Sequence, residues 1–270
     1  MKCRALAVEL ELTAAEFLGS SPLGSGSHNQ ATEAGSRFPS PPGEAMREPA
    51  AIKGIEKHGI VLAYPMANRP ELPSLWSLAY PRSEMRWDWS SEADPRVAEI
   101  WHLRGQLASG TRVVYAKWFH GRATFFSRPV FQALLGRLEA EGDLFDGLPP
   151  ESRAILEVLD ESSPQSMKQV RAQVELVGKH NEKVFAHAVK SLWSRLLIVG
   201  AGEVEDGAFP SLAIGNTALL FEELWRARGE PNGEGNQRLD AALAGSPALQ
   251  RELARSAAVV ARQGRLPTRT

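Results

Sequence analysis

The stretch at residues 166–215 constrains the fold most, because its pattern predicts two helices followed by a β-hairpin. The first segment places Val170, Val174 and Leu176 on one helical stripe. After a turn at residues 178–181, with Asn181 as the expected N-cap, the second segment carries apolar residues three and four positions apart: Val184, Phe185, Ala188, Val189, Leu192 and Leu196. Further on, apolar residues alternate around Asp206-Gly207, which is a hairpin signal.

A third helix is predicted just upstream. Pro149-Pro150-Glu151 favours a helix start, and Ile155, Leu156 and Leu159 then fall on one face. Three short helices and a β-hairpin are the layout of a winged helix, which is a relative of the helix-turn-helix. The sequence therefore predicts a winged-helix domain over residues 147–228.

The charge of this unit favours nucleic acid as its partner. Residues 166–197 have a net charge of +4, although the whole chain of 270 residues has a formal net charge of −1, because six basic residues stand against Glu175 and Glu182: Lys168, Arg171, Lys179, Lys183, Lys190 and Arg195. Phosphate binding needs such a local positive patch. We predict double-stranded DNA as the partner, contacted by six residues: Lys179, His180, Asn181, Lys183, His187 and Lys190. An ordinary solvated helix face and a protein–protein role for the winged helix are the alternatives.

The rest of the chain predicts an α+β fold, with a small mixed α/β N-terminal domain before the winged helix. Residues 1–50 are rich in Ser, Gly and Pro after position 19, which predicts a disordered leader or a segment outside the native product. Residues 51–140 contain a strand near Ile60, a helix capped by Asp94-Pro95 and a hairpin that turns at His120-Gly121. An acidic connector leads to the winged helix. Residues 217–228 predict one closing helix, and residues 229–270 a flexible tail with a possible weak helix.

The N-terminal domain offers a second candidate surface. Five of the seven tryptophans lie between residues 51 and 140, interleaved with arginines, and aromatic planes beside guanidinium groups suit base stacking and phosphate contact. The candidates for exposure are Trp87 and Trp89 beside Arg86, and Arg122 is added from the hairpin. Alternatively, the tryptophans fill the core, as the helical position of Trp101 indicates, and the arginines pair with nearby carboxylates.

Signals for catalysis, cofactors or membranes are missing from the sequence. Cys3 is the only cysteine, so neither an intrachain disulfide nor a cysteine-based zinc site can form. The histidines show no metal-ligand spacing, and no phosphate-binding loop, nucleophile elbow or dinucleotide fingerprint occurs. No apolar run approaches the ~18 residues that a membrane span needs. We therefore predict a cytoplasmic protein with no metal, no cofactor and no assignable catalytic residue; the oligomeric state is left open.

Four runs of the sequence carry a family resemblance: WFHGRATFFSRPVFQALL, LPPESRAILEVL, KQVRAQVEL and FAHAVKSLWSRLLIVG. Together they resemble the AlkZ-related proteins, relatives of the AlkZ/YcaQ DNA glycosylases that unhook interstrand crosslinks, over residues 52–228. The resemblance implies a DNA-associated winged-helix protein in DNA repair or nucleoid transactions. Those glycosylases carry a catalytic Gln-x-Gln, which this sequence lacks. Two other functions stay open, a DNA glycosylase acting on alkylated or crosslinked bases and a protein–protein adaptor.

Overall fold

The computed structural model describes residues 46–66, 72–85, 94–205 and 210–261. The first half of the described chain contains the helices α1 (Glu48–His58), α2 (Leu75–Ala79), α3 (Pro95–Ser109) and α4 (Arg128–Glu139), and the strands β1 (Ile60–Leu62), β2 (Val113–Ala116) and β3 (Thr124–Ser127). Asp94 caps α3 through a side-chain bond from the Arg96 N–H, and Pro95 is its first residue, which confirms the predicted start.

The second half begins with α5 (Pro150–Glu161), β4 (Gln165–Ser166), α6 (Met167–Gln173), α7 (Glu182–Ser194), β5 (Ile198–Glu205) and β6 (Pro210–Asn216). Four helices follow, α8 (Thr217–Leu220), α9 (Glu222–Arg226), α10 (Gly233–Ala244) and α11 (Pro247–Ala261). The predicted mixture of helices and strands is confirmed. The single closing helix predicted at residues 217–228 is wrong, since the helix is interrupted at Phe221.

The strands of the described chain form one six-stranded sheet in the order β1-β3-β2-β5-β6-β4, and all neighbours are antiparallel. Strands from both predicted domains share this sheet, because β2 and β5 meet at Tyr115 and Gly200. A Cβ atom on Gly200 would lie 2.0 Å from Cδ1 of Tyr115. Glycine at this position therefore allows the two halves of the sheet to approach each other.

The core consists of two clusters on the two faces of the sheet. Along β2, Val114 and Ala116 belong to one cluster, whereas Val113 and Tyr115 belong to the other, as the two-residue period of a strand requires. The first cluster includes buried residues of α4, α5, α7, α10 and α11. The second cluster includes buried residues of α1, α2 and α3. The sheet is thus covered by helices on both faces.

The C-terminal part differs from the predicted flexible tail, because α10 and α11 bury Leu239, Leu249 and Val260 in the first cluster. Their apolar stripe is thin in the sequence. Gly235 of α10 compensates by allowing close approach of backbones, since a Cβ atom there would lie 2.2 Å from the Pro129 oxygen of α4. Tertiary contact with the α4 region, rather than local periodicity, therefore orders this segment.

The hairpin of the first half is confirmed, but its loop is longer than predicted. The strands end at Ala116 and resume at Thr124, and Trp118 and Phe119 between them are buried. His120 and Gly121 form the tip, with φ angles of +52° and +73°. The leader prediction falls mostly outside the described residues, since the description begins at residue 46 and α1 begins at Glu48, two residues before the predicted boundary.

Candidate nucleic-acid interface

Helices α5, α6 and α7 pack as one unit beside the β5–β6 hairpin. Ser152 of α5 donates from its hydroxyl to the Ala188 carbonyl of α7 over 3.0 Å. Ser166 begins α6 with a capping box that it shares with Gln169. Because β4 pairs with β6 through Ser166 and Ala213, the start of α6 is held at the edge of the sheet.

The inner face of α7 is as predicted, with one exception. Phe185, Ala188, Val189 and Leu192 are buried, whereas Val184 keeps 38% of its surface exposed, so its predicted core position is wrong. Successive residues of an α-helix are rotated by about 100°, which places Val184 at the border of the buried stripe centred near Phe185 and Leu192.

The outer face of α7 carries the predicted polar stripe. Lys183, His187 and Lys190 are exposed, and their spacing of four and three residues aligns them over about 10 Å of helix. Lys179 and His180 are exposed in the turn before the helix. Among the described residues, none of Lys179, Lys183 and Lys190 forms an ion pair, so the acidic connector does not mask this face. We call these five residues the α7 face.

Asn181 occupies the N-cap position of α7, as predicted, but it does not cap with its side chain. Its Nδ2 donates instead to the Val177 carbonyl over 3.2 Å, and its backbone lies in the right-handed helical region rather than the extended one. The side chain therefore stabilises the preceding loop rather than a free amide of the helix.

Two of the six basic residues that were counted toward the positive patch serve the fold. Arg195 is fully buried and donates to the carbonyls of Leu144 and Asp146, 2.7 Å from each. Burial, and then the neighbouring Arg153, lower the pKa of Arg195 against the opposing effect of the acidic connector. Arg171 donates from Nε to the Leu176 carbonyl over 2.9 Å. Counting Arg195 as surface charge is therefore wrong.

The β5–β6 hairpin is confirmed as a hairpin, but the part of β5 near the turn is not free. Glu203 of β5 accepts from Arg104 of α3, and Gly202, at φ +87°, lies so close to α3 that a Cβ atom would meet the Ser109 hydroxyl at 2.2 Å. The predicted turn at Asp206-Gly207 lies outside the described residues. The hairpin is thus anchored to the first half of the chain in the part of β5 near the turn.

The tryptophans that the structure describes in the first half mostly serve the core. Trp76 and Trp118 are buried, and their ring N–H groups donate to the Ser83 carbonyl over 2.8 Å and to the Ser256 hydroxyl over 3.0 Å. Trp101 is half-buried beneath the Arg104 guanidinium, 3.7 Å from the ring centroid. The core interpretation is confirmed for Trp76 and Trp118.

One of the remaining predicted site residues, Arg122, does not join the α7 face. Arg86, Trp87 and Trp89 lie outside the described residues. Arg122 is half-buried in the loop between β2 and β3, beside α11. There it accompanies Arg251 and Arg255, which the sequence reasoning missed because it treated this segment as a weak helix. A charge count would have found them, since residues 251–270 contain five arginines and one acidic residue.

Other classes of site are not found in the part of the chain that the structure describes. It contains no group of three or more histidine, cysteine, aspartate and glutamate side chains that could hold a metal ion. Within the same residues, no helix combines the length and the apolar character that crossing a membrane requires.

Comparison with known proteins identifies the family. The model of the family described as AlkZ related matches residues 47–211, more than half of the chain. The comparisons with curated proteins and with solved structures found no match. The matched segment runs from the start of α1 into β6 and includes the α7 face, whereas α10 and α11 lie beyond it. The chain therefore belongs to the AlkZ-related family.

Proposed function

We propose that this AlkZ-related protein binds double-stranded DNA through a winged helix made of α5, α6, α7 and the β5–β6 hairpin. In this proposal α7 is the recognition helix and the α7 face contacts the DNA. Family membership supports a role in DNA repair. The proposal assigns no catalytic residue, because the Gln-x-Gln of the resembled glycosylases does not occur in the sequence.

The observation that carries the proposal is the open stripe of basic side chains on α7. Lys183 and Lys190 point away from the core, and among the described residues no carboxylate pairs with them. Lys179 stands in the turn before the helix, whose N-terminus carries a partial positive charge that favours phosphate. Lysines presented in this way can neutralise backbone phosphates and release counterions.

The experiment is a salt titration of duplex affinity for the parent and for Lys183→Ala and Lys190→Ala. We expect each variant to bind any duplex more weakly and to reduce the slope of log affinity against log salt by about one unit, because each phosphate contact contributes about 0.9 units. Fluorescence anisotropy with a labelled duplex measures both quantities. The matched control is Lys53→Ala on α1, an exposed lysine with no assigned contact, which should keep the parental slope.

If both lysine variants retain the parental affinity and slope, α7 does not read DNA. A protein–protein adaptor would then replace the proposal. A parent protein whose affinity is independent of salt would likewise exclude binding through phosphates.

A further inference from the structure

The loop between β2 and β3 meets α11 at a cluster of charged side chains. His120 Nδ1 lies 3.4 Å from the Arg255 guanidinium and 3.4 Å from the Glu252 carboxylate. Arg251 and Arg255 are four residues apart and therefore lie on one face of α11. Arg122 follows His120 by two residues on the other side of the contact.

The buried carboxylate holds this cluster in place. The Glu252 side chain is only 6% exposed, and it accepts from Arg255 while contacting His120. Nearby, the buried Trp118 ring donates to the Ser256 hydroxyl and ties the same loop to the same helix. A buried charge is tolerated when it is paired, so Glu252 orients the Arg255 and His120 side chains at the surface.

Positive charge is left over after this pairing. Among the described residues, neither Arg122 nor Arg251 forms an ion pair. Burial is the largest cause that lowers the pKa of His120, and Glu252 opposes it. Arg255, Arg122 and Arg251 lie close enough to His120 to lower its pKa further. Three arginines and one glutamate thus give the cluster a net charge of +2 with a neutral imidazole.

The surrounding sequence makes this excess stand out. Residues 100–138 contain six basic residues and no acidic one. The fold neutralises four of the six with carboxylates from other elements, in the pairs Arg104–Glu203, Arg112–Glu56, Arg128–Glu223 and Arg137–Asp240. Arg122 receives no such partner among the described residues. On the other side of the contact, Arg251 and Arg255 of α11 stand against the single carboxylate of Glu252.

We propose that four residues form a second phosphate-binding surface: His120, Arg122, Arg251 and Arg255. This surface binds the backbone of the duplex that α7 contacts, at a position outside the α7 contact. We call it the His120 surface. This inference rests on the proposed function. Guanidinium groups bind phosphate oxygens through fixed pairs of N–H donors, and Glu252 orients one of them before the ligand arrives.

The test is a salt titration with the double variant Arg122→Gln/Arg251→Gln. Neither guanidinium has an ion-pair partner in the described residues, so the variant should fold as the parent does, which circular dichroism and a melting curve verify. We expect the slope of log affinity against log salt to fall by about two units. The ratio of the affinity at 50 mM salt to the affinity at 200 mM salt should therefore be about tenfold smaller in the variant than in the parent.

The matched control is Arg112→Gln/Arg226→Gln, which removes the same charge from two exposed arginines that are already paired with Glu56 and Glu222. It should change the slope by less than about half a unit, since charge removed outside the interface costs little at these salt concentrations. A loss of equal size in both double variants would attribute the effect to net charge alone and overturn the inference.

The two proposals fail differently. If Lys183→Ala weakens duplex binding and the Arg122→Gln/Arg251→Gln variant binds as the parent does, the His120 surface is rejected while the proposed function stands. If the arginine variant loses affinity and the lysine variants do not, the duplex binds at the His120 surface and the assignment of α7 fails. If the parent binds no duplex, both are rejected.

Discussion

A basic residue contributes to binding only when the fold leaves its charge at the surface. Arg195 and Lys190 are five positions apart and count equally toward formal charge, yet Arg195 is fully buried and Lys190 is exposed. The Arg195 guanidinium donates to two carbonyls of the connector between α4 and α5 and so stabilises the fold. We therefore predict that substitution of Arg195 affects stability, whereas substitution of Lys190 affects duplex binding.

Replacement of Arg195 by methionine should lower the free energy of unfolding by at least about 1 kcal/mol, because the Leu144 carbonyl loses its donor inside the protein. Urea denaturation followed by circular dichroism measures this change. The slope of duplex affinity against salt should stay at the parental value under conditions where the variant is folded. Lys190→Ala should show the opposite pattern, with the stability of the parent and a reduced slope of duplex affinity against salt. A stable Arg195→Met variant with weaker duplex binding would contradict the assignment.

At the scale of elements, the β5–β6 hairpin both follows α7 and completes the sheet of the first half. Its contact with β2 depends on Gly200, which faces the ring of Tyr115, and its contact with α3 depends on Gly202 and on the Arg104–Glu203 pair. Neither contact is visible in the alternation that predicts the hairpin. Gly200 is required by its contact with Tyr115, which is 85 positions away in the sequence. Nothing in the residues next to Gly200 distinguishes it from any other glycine in a strand.

Gly200→Ala tests this contact. The new methyl group would lie 2.0 Å from Cδ1 of Tyr115, so the ring or the strand must move, and we expect a loss of about 1–3 kcal/mol in the free energy of unfolding. The control is Gly233→Ala at the start of α10, where a Cβ atom meets nothing within 4 Å. The control should be neutral or slightly stabilising, because alanine favours a helix. Equal stabilities for the two variants would refute the close approach of β2 and β5.

The described part of the molecule is organised around one sheet with helices on both faces, and the C-terminal helices belong to that organisation. Leu239 of α10 is fully buried in the cluster that also contains residues of α4, α5 and α7. The chain beyond the family match therefore supports the segment that carries the α7 face. It also supplies two of the four residues of the His120 surface.

Leu239→Ala distinguishes a core helix from a flexible tail. Removal of a buried leucine side chain should lower the free energy of unfolding by about 2–5 kcal/mol. Leu219→Ala on α8 is the control, because that side chain is 51% exposed, and its effect should stay within about 0.5 kcal/mol. Thermal or urea denaturation measures both. A Leu239→Ala variant as stable as the Leu219→Ala control would mean that α10 does not dock.

The sequence by itself determined the features that neighbouring residues encode. The start of α3 at Asp94-Pro95, the start of α5 at Pro150, the buried stripe of α7 and both hairpins follow from caps, proline and periodicity, which act over a few positions. The family resemblance was likewise readable from short runs and is confirmed by the match over residues 47–211. The stripe of Lys183, His187 and Lys190 is exposed for the same reason, because it lies opposite the buried stripe of one helix.

Tertiary structure alone decided which charges remain at the surface and which weak helices dock. Arg195 is buried because the connector returns over the end of α7, and α10 docks because Gly235 allows it to approach α4. Arg122 and Arg251 are 129 positions apart, and only the contact between the β2–β3 loop and α11 brings them to one surface. These outcomes depend on contacts between residues that are distant in the sequence. Local propensity carries no information about the energies of such contacts.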